Sequence, residues 1–393
     1  MSQSHLLLRE PVVNRNRETV GYALSLLSEE GEPAAAGGIY AILVGRNPDD
    51  DFFERVPGRF VIADCGQVES ERPSVAQGRL VLSLRTDHGL ENLAERTRTW
   101  RGTGFGLCLD AGDASTWPAE VAQQAAYLRV PIGSGDTPPL LPGFAGKRIA
   151  SGVDTHARFD QAVRTGFDMV QGHFFTEPTG NQAAAVNATY SSIVTLMKLA
   201  KEDAPIKQIE DVLKRDAALS FKLLRYINSA GFGLSCEIQS FRHAVTVLGY
   251  QNLHKWLALL LVTAAKQNTS AALVTTAIAR GRLAELLGHS LFEAQDRDNL
   301  FITGAFSLLH VILQMPLEKI TEQVALPEAV TDALFHHTGQ FGALLELVKL
   351  CETLGMENHA ARAAELAMMI GITPESLNRA QLEALVWAEG LGR

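Results

Sequence analysis

Seven consecutive apolar residues, Trp256 to Val262, sit at the end of a predicted helix and leave it no polar face. A helix that is apolar all round must be enclosed by other elements, so this run marks the centre of an all-helical domain. The residues leading into it read the same way. Ile209, Val212 and Leu213 fall at the i, i+3, i+4 spacing of one helical face, predicting a helix that closes at Asp216. A second helix is expected over Ala217–Ala230, with Leu219, Leu223, Leu224 and Ile227 along one side and Gly231 and Gly233 ending it. Ser240 then has the chemistry of an N-cap, and Gly249 falls just past the end of a third helix.

At 393 residues the chain is long for one domain, and two are expected. A 46% hydrophobic and 20% charged composition excludes global disorder. The net charge of −9 disfavours a nucleic-acid binder, because neutralising phosphates needs clustered Lys and Arg. Cys65, Cys108, Cys236 and Cys351 are far apart and form no CxxC pair, which reads as inert thiols of a reducing compartment. Met1–Arg9 lacks the pattern of a secretory leader, and no apolar run reaches the roughly 18 to 20 residues of a membrane span. A cytoplasmic protein is therefore expected.

Residues 1–178 alternate short β-like runs with helical stretches. Strands are predicted at Leu6–Leu8, Thr19–Leu26, Tyr40–Leu43, Phe60–Ala63, Leu80–Leu84, Gly106–Leu109, Tyr127–Val130, Arg148–Ala150 and Met169–Gln171. Helices are predicted at Asp51–Arg55, Leu90–Trp100, Pro118–Ala125 and Ala157–Arg164. This alternation suggests a parallel sheet, and periodicity does not choose between an open sheet and a closed barrel. Residues 179–188 are small, polar or weakly apolar, and 179–190 are expected to link this domain to a helical one over 191–393. Further helices are predicted at Ala271–Leu287, Asp298–Leu313, Leu317–Gln323, Pro327–Phe335, Phe341–Leu354, Ala360–Met369 and Leu382–Leu391.

Two resemblances sharpen this outline. Lys214-Arg-Asp-Ala-Ala-Leu-Ser-Phe-Lys-Leu-Leu-Arg-Tyr-Ile-Asn-Ser-Ala230, followed by Ser240 and Ala244-Val-Thr-Val-Leu-Gly249, resembles the HDOD domain, with Ala217 where that family usually has Pro. The resemblance covers roughly Ser191 to Leu354. HDOD domains are similar to HD phosphohydrolases without the metal ligands and are associated with bacterial signalling. Leu8-Arg-Glu-Pro-Val-Val, running on to Gly21-Tyr22-Ala23, and the closing Gln171-Gly-His-Phe-Phe-Thr-Glu-Pro178 resemble the two ends of an EAL domain. That resemblance implies a (β/α)₈-type barrel of the kind that hydrolyses cyclic di-GMP. A barrel usually takes about 200 residues or more, so a trimmed one is expected here.

The EAL resemblance also identifies where its chemistry would be. A metal-dependent phosphodiesterase needs clustered carboxylates to hold hard divalent cations. The family's first Glu maps to Ala23 and a phosphate-binding Arg to Leu27; its next Glu maps to Ser83 or Thr86. Its Asp-Asp-Phe-Gly becomes Asp110-Ala111-Gly112-Asp113, its Lys corresponds to Arg129, the Asp two residues later to Pro131, and a late Glu to Asp154, while Gln171 is retained. Loss of this many ligands implies no metal, cofactor or catalytic residue; Asp110 and Asp154 are expected as hydrogen-bonded residues at strand ends. In the helical domain no His-Asp dipeptide occurs, and His310 beside Ser307 reads as a core or boundary residue. His336-His337 and Asn228-Ser229 read as capping residues.

The expected function is a non-catalytic signalling scaffold or adaptor linked to cyclic di-GMP. The alternatives are a non-catalytic cyclic dinucleotide receptor and a residual cyclic di-GMP phosphodiesterase. Other signalling proteins are the expected partners, self-association is left open, and binding of cyclic di-GMP is expected to be weak or absent. Output is expected from the helical domain, with Arg225, Arg242, His254 and Lys255 as outward-facing contacts.

Overall fold

The computed structural model describes residues 5–28, 36–44, 51–64, 78–85, 92–111, 117–133, 141–178, 188–215, 219, 223, 241–264, 269–324, 326–354 and 358–391. The chain divides into two compact units: Met1–Glu177 with Lys349–Leu382, and Pro178–Val348 with Glu383–Arg393.

Eight strands form a closed barrel in the first unit, in the order in which they occur in the chain. They are β1 (Leu6–Asn14), β2 (Thr19–Leu27), β3 (Phe60–Asp64), β4 (Leu80–Leu84), β5 (Gly106–Asp110), β6 (Tyr127–Pro131), β7 (Lys147–Ser151) and β8 (Met169–Gln171). From β2 to β8 the pairings are parallel, as the alternation of strands and helices suggests. The first strand departs from that expectation and runs antiparallel to both β2 and β8. Its connection explains why. Arg17 has φ 61° in a tight turn, and Asn14 Oδ1 accepts hydrogen bonds from the backbone N–H groups of Asn16 and Glu18 at 2.9 and 3.0 Å. Strands joined by so short a turn can only pair antiparallel.

Among the described residues, five helices accompany the strands: α1 (Ala36–Val44), α2 (Phe52–Arg55), α3 (Leu93–Gly102), α4 (Ala119–Ala122) and α5 (His156–Arg164). Among the described residues none lies between β3 and β4 or between β6 and β7. Tyr40–Leu43, predicted as a strand, belongs to α1. Ile39 and Leu43, four residues apart, are both buried there, and a short apolar run does not by itself separate a buried helix from a strand.

Alternation along the strands fills the barrel interior. Val12, Ala23, Phe60, Ile62, Val81, Cys108, Ile149 and Met169 form one buried cluster. Because side chains two apart on a strand share a face, the next inward position towards the barrel mouth is Ser83 on β4, Asp110 on β5, Arg129 on β6 and Gln171 on β8. On the reversed strand β1 the same level is Glu10.

The second unit contains α6 (Ala188–Lys201), α7 (Ile206–Lys214), α8 (Phe241–Ala264), α9 (Ala271–Gly288), α10 (Ala294–Phe306), α11 (Leu309–Leu313), α12 (Leu317–Gln323), α13 (Glu328–Thr331) and most of α14 (Gly339–Leu350). Every residue of the run Trp256–Val262 is buried, as its lack of a polar face requires. Gly249 interrupts α8 with φ 74°, at the position where a helix end is expected. Leu219 and Leu223 are buried; the rest of the predicted helix 217–230, including Leu224 and Asn228-Ser229, lies outside the described residues, as do 179–187 of the predicted linker. Helix α6 starts at Ala188, inside the range 179–190.

The tail differs from the expected division of the chain. Sequence alone places all of 191–393 in the helical domain, whereas Lys349–Leu382 belongs to the barrel unit. This stretch includes α15 (His359–Met369) and the first half of α16 (Pro374–Leu391). The physical reason is an unfilled edge. Strand β8 has three residues and pairs with β1 only at Val12–Asn14, which leaves Leu6–Glu10 without a strand on that side. The tail supplies the missing partners: Arg9 N donates to Cys351 O at 3.0 Å, Leu7 N to Asn378 Oδ1 at 2.7 Å, and Gln381 Nε2 donates to Leu7 O at 2.7 Å. Buried backbone groups demand such partners.

Candidate functional site

At the barrel mouth the side chains of Ser83, Asp110, Arg129, Gln171 and Glu10 form one continuous hydrogen-bonded row. Arg129 is its centre. Its Nε donates to Asp110 Oδ1 and its Nη2 to Asp110 Oδ2, both at 2.6 Å, and Nη2 also reaches Ser83 Oγ at 3.0 Å. Ser83 Oγ donates to Asp110 Oδ2 at 2.9 Å. On the other side, Arg129 Nη1 donates to Gln171 Oε1 at 3.3 Å, and Gln171 Nε2 donates to Glu10 Oε2 at 2.7 Å. The remaining Glu10 oxygen, Oε1, accepts the Leu354 backbone N–H at 2.9 Å.

Two-point pairing between a guanidinium and a carboxylate is the strongest arrangement open to these groups. Here it engages both oxygens of the one aspartate retained from the expected acidic motif. Glu10 is buried, and that burial raises its pKa, as does nearby Asp154; its bonds with Gln171 and Leu354 oppose the shift only in part. Asp154 itself is exposed and accepts the His173 N–H at 3.4 Å.

Among the described side chains this donor set does not fit a pair of divalent cations. Hard cations need free carboxylate oxygens, and all four oxygens of Asp110 and Glu10 already accept protein N–H or O–H groups. Ala23, directly across from Glu10 in the β1–β2 register, offers no ligand, and Leu27 offers no charge. The residues expected from sequence at Ser83, Asp110, Arg129 and Gln171 thus come together in one place, and Asp154 stays at its margin. Thr86, Gly112 and Asp113 lie outside the described residues. Glu10 is missed by sequence reasoning, because the predicted first strand stops at Leu8 and so leaves Arg9-Glu10 in a loop. The observed strand runs through both and turns Glu10 to the barrel interior, the face it shares with Val12.

The helical unit holds a second polar cluster. Lys255 pairs with Glu285 and lies 3.4 Å from Asp298, while Arg282 Nη1 donates to the other Glu285 oxygen at 2.8 Å. Burial pushes the Glu285 pKa up, but Lys255 and Arg282 outweigh it and hold the carboxyl below its ordinary value. Lys255 is 9% exposed, so its expected role as an outward contact is overturned. Its two carboxylate partners make burial tolerable for the ammonium. His254 is likewise turned inward, lining a cleft of about 350 Å³ together with Lys201, Tyr250, Asp296, Asp298 and Asn299. Burial, aided by the charge of Lys201, lowers its pKa to about 4. The side chains of Arg225 and Arg242 lie outside the described residues.

Arg280, 6% exposed, donates from Nη1 to Ser307 Oγ at 2.8 Å beside half-buried His310. His337 has φ 54° at the end of a helical turn. Among the described residues no group of three or more His, Cys, Asp or Glu side chains is arranged to hold a metal ion. No helix among them is long and apolar enough to cross a membrane. Cys108 and Cys351 are buried free thiols, whereas Cys65 and Cys236 lie outside the described residues.

Comparison with known proteins agrees with this geometry on the helical unit. Residues 185–326 match the family model of the HDOD domain. The chain is 30% identical over 247 residues to the uncharacterized protein YuxH of Bacillus subtilis, an alignment covering 62% of this chain and 59% of that protein. It is 28% identical over 259 residues to the cyclic di-GMP phosphodiesterase CdgJ of Vibrio cholerae, covering 65% of this chain and 58% of CdgJ. The chain thus spans about three fifths of the length of these curated relatives. Similar solved structures include the PaMucR phosphodiesterase in complex with c-di-GMP, with a TM-score of 0.30 at 12% identity over 44% of this chain and 90% of that one. A standalone EAL protein from Vibrio cholerae in its c-di-GMP-bound form gives 0.31 at 14% identity over 45% and 93%.

Proposed function

We propose that this chain, whose residues 185–326 are an HDOD domain, is a non-catalytic scaffold or adaptor in cyclic di-GMP-linked signalling. The observation that carries this reading is the state of Asp110. Both its oxygens are closed by Arg129 at 2.6 Å, in a row where Ala23 and Ser83 replace carboxylates. A guanidinium fixed by two short bonds supplies internally the positive charge that a phosphodiesterase of this kind takes from bound cations. The barrel keeps its shape, and its polar row is satisfied from within.

The same features disfavour tight binding of cyclic di-GMP. Leu27 in place of Arg removes a charge-assisted phosphate contact worth about 1.5 to 3 kcal/mol. Output then falls to protein contacts made by the helical domain. The likeness to CdgJ, named as a phosphodiesterase, favours a second reading in which residual hydrolysis survives.

Calorimetry of the full chain with cyclic di-GMP separates adaptor from receptor. The adaptor reading expects no saturable heat at micromolar ligand, and a micromolar or tighter Kd at ordinary salt would establish the receptor instead. Capture experiments with the full chain and with a fragment from Tyr190 onward test where output resides. Retention of the full chain's partners by the helical fragment supports the assignment, and a folded fragment that captures none of them removes it.

A further inference from the structure

The tail both covers the edge of β1 and reaches into the barrel. Leu354 packs against the interior cluster that contains Ala23, and its backbone N–H is bound to Glu10 Oε1 at 2.9 Å. Three residues earlier, Cys351 is fully buried and its carbonyl accepts the Arg9 N–H at 3.0 Å. Between them Glu352, 3% exposed, pairs with Arg9, 4% exposed, at 3.4 Å. Barrels of this class hold their ligands at the carboxyl-terminal end of the strands. Leu354 and Glu10 meet at that end, because β1 runs in reverse and its residues before Val12 lie beyond Gln171.

We propose that Cys351–Leu354 is an internal strap that competes with ligands for the barrel mouth, so that a nucleotide enters only when the strap withdraws. The proposal rests on the reading of the barrel as a non-catalytic, cyclic di-GMP-linked unit and adds its regulation. Two occupants of one volume exclude each other. The affinity observed for a ligand is then reduced by the fraction of molecules with the strap out, and a bound ligand must in turn favour the withdrawn strap. The strap follows directly on α14, whose last residue is Leu350.

Cys351 provides a readout that does not depend on activity. With the strap seated its thiol is buried, and that burial pushes its pKa up to about 12, so alkylation is slow. In the full chain, Glu352→Ala with Leu354→Gly removes the Arg9 pair and the inserted side chain. Iodoacetamide labelling at Cys351, followed by peptide mass spectrometry, should accelerate about tenfold or more, and the apparent Kd for cyclic di-GMP should fall by a similar factor. Glu352→Gln keeps the side chain's shape and should move both readouts in the same direction by a smaller factor, which maintains the test if the double variant does not fold. Faster labelling with unchanged affinity, or unchanged labelling in a folded variant, overturns the strap. Turnover of cyclic di-GMP appearing only in the released variant supports the strap and counts against the non-catalytic reading.

Discussion

Arg129 on β6 and Asp110 on β5 meet through two 2.6 Å hydrogen bonds, with side-chain exposures of 15% and 19%. Removing one partner of such a pair leaves the other charge part-buried and unpaired. Arg129→Ala should cost the barrel about 3 kcal/mol, the low end of the range for buried pairs, since some solvent reaches this one. Arg129→Lys keeps the charge but loses the planar fork, so it should restore only part of that stability. Urea unfolding of the two variants beside the wild type checks the order.

Much of this barrel is legible in the sequence. The apolar runs at Phe60–Ala63, Leu80–Leu84 and Gly106–Leu109 each become a strand because the barrel wall buries both faces of the run. Three features are not legible, for different reasons. Tyr40–Leu43 is too short and too uniformly apolar to reveal its period. Glu10 is hidden because a charged residue beside Pro11 signals a strand end, and only the distant Gln171 and Leu354 make its burial possible. The tail's place in the barrel unit depends on pairings such as Leu7 with Asn378, 371 positions apart, which no local pattern encodes. In the site, residue types at strand ends identify Ser83, Asp110, Arg129 and Gln171. That Arg129 should close on Asp110 is visible only in three dimensions.

Lys255 should behave as a core residue. Lys255→Ala would strand Asp298 and leave Glu285 with Arg282 alone, at a cost of about 3 to 5 kcal/mol. A surface contact residue would stay within about 0.5 kcal/mol. Trp256→Ala, at a neighbouring buried position, should cost about 3 to 5 kcal/mol by leaving a cavity. Thermal unfolding of both variants distinguishes these outcomes.

His254 predicts an acid-side loss of stability. Its folded pKa of about 4 lies below the ordinary 6.5, so folding favours the neutral ring. That contribution is complete above pH 6.5 and is lost as the pH falls towards 4, because the unfolded chain takes up the proton first. Between pH 7 and pH 5 the loss should be about 2 kcal/mol, and His254→Gln should remove it. Glu285, whose pKa is held down, loses its contribution only at lower pH, and Glu10, whose pKa is raised, changes stability in the opposite sense. The difference between variant and wild type in urea midpoint across pH 7 to 5 therefore isolates His254.

The barrel should not survive alone. A fragment of residues 1–178 lacks Cys351, Glu352, Leu354, Asn378 and Gln381, which satisfy buried groups of β1. Each unsatisfied group costs about 1 to 3 kcal/mol, a sum comparable to the whole stability of a domain. The fragment should melt without cooperativity and bind a hydrophobic dye. In the full chain, Asn378→Ala should cost about 1 to 3 kcal/mol. A fragment that melts as sharply as the full chain would show that the tail is dispensable.

A non-catalytic scaffold requires the polar row at the barrel mouth to be chemically silent. Purified full-length protein, incubated with cyclic di-GMP and either Mg²⁺ or Mn²⁺, should yield no linear or fully hydrolysed product above a protein-free control, and Asp110→Asn should give the same result. Turnover in the wild type that Asp110→Asn abolishes would contradict that silence, since it would show that Asp110 leaves Arg129 to serve a metal-dependent reaction.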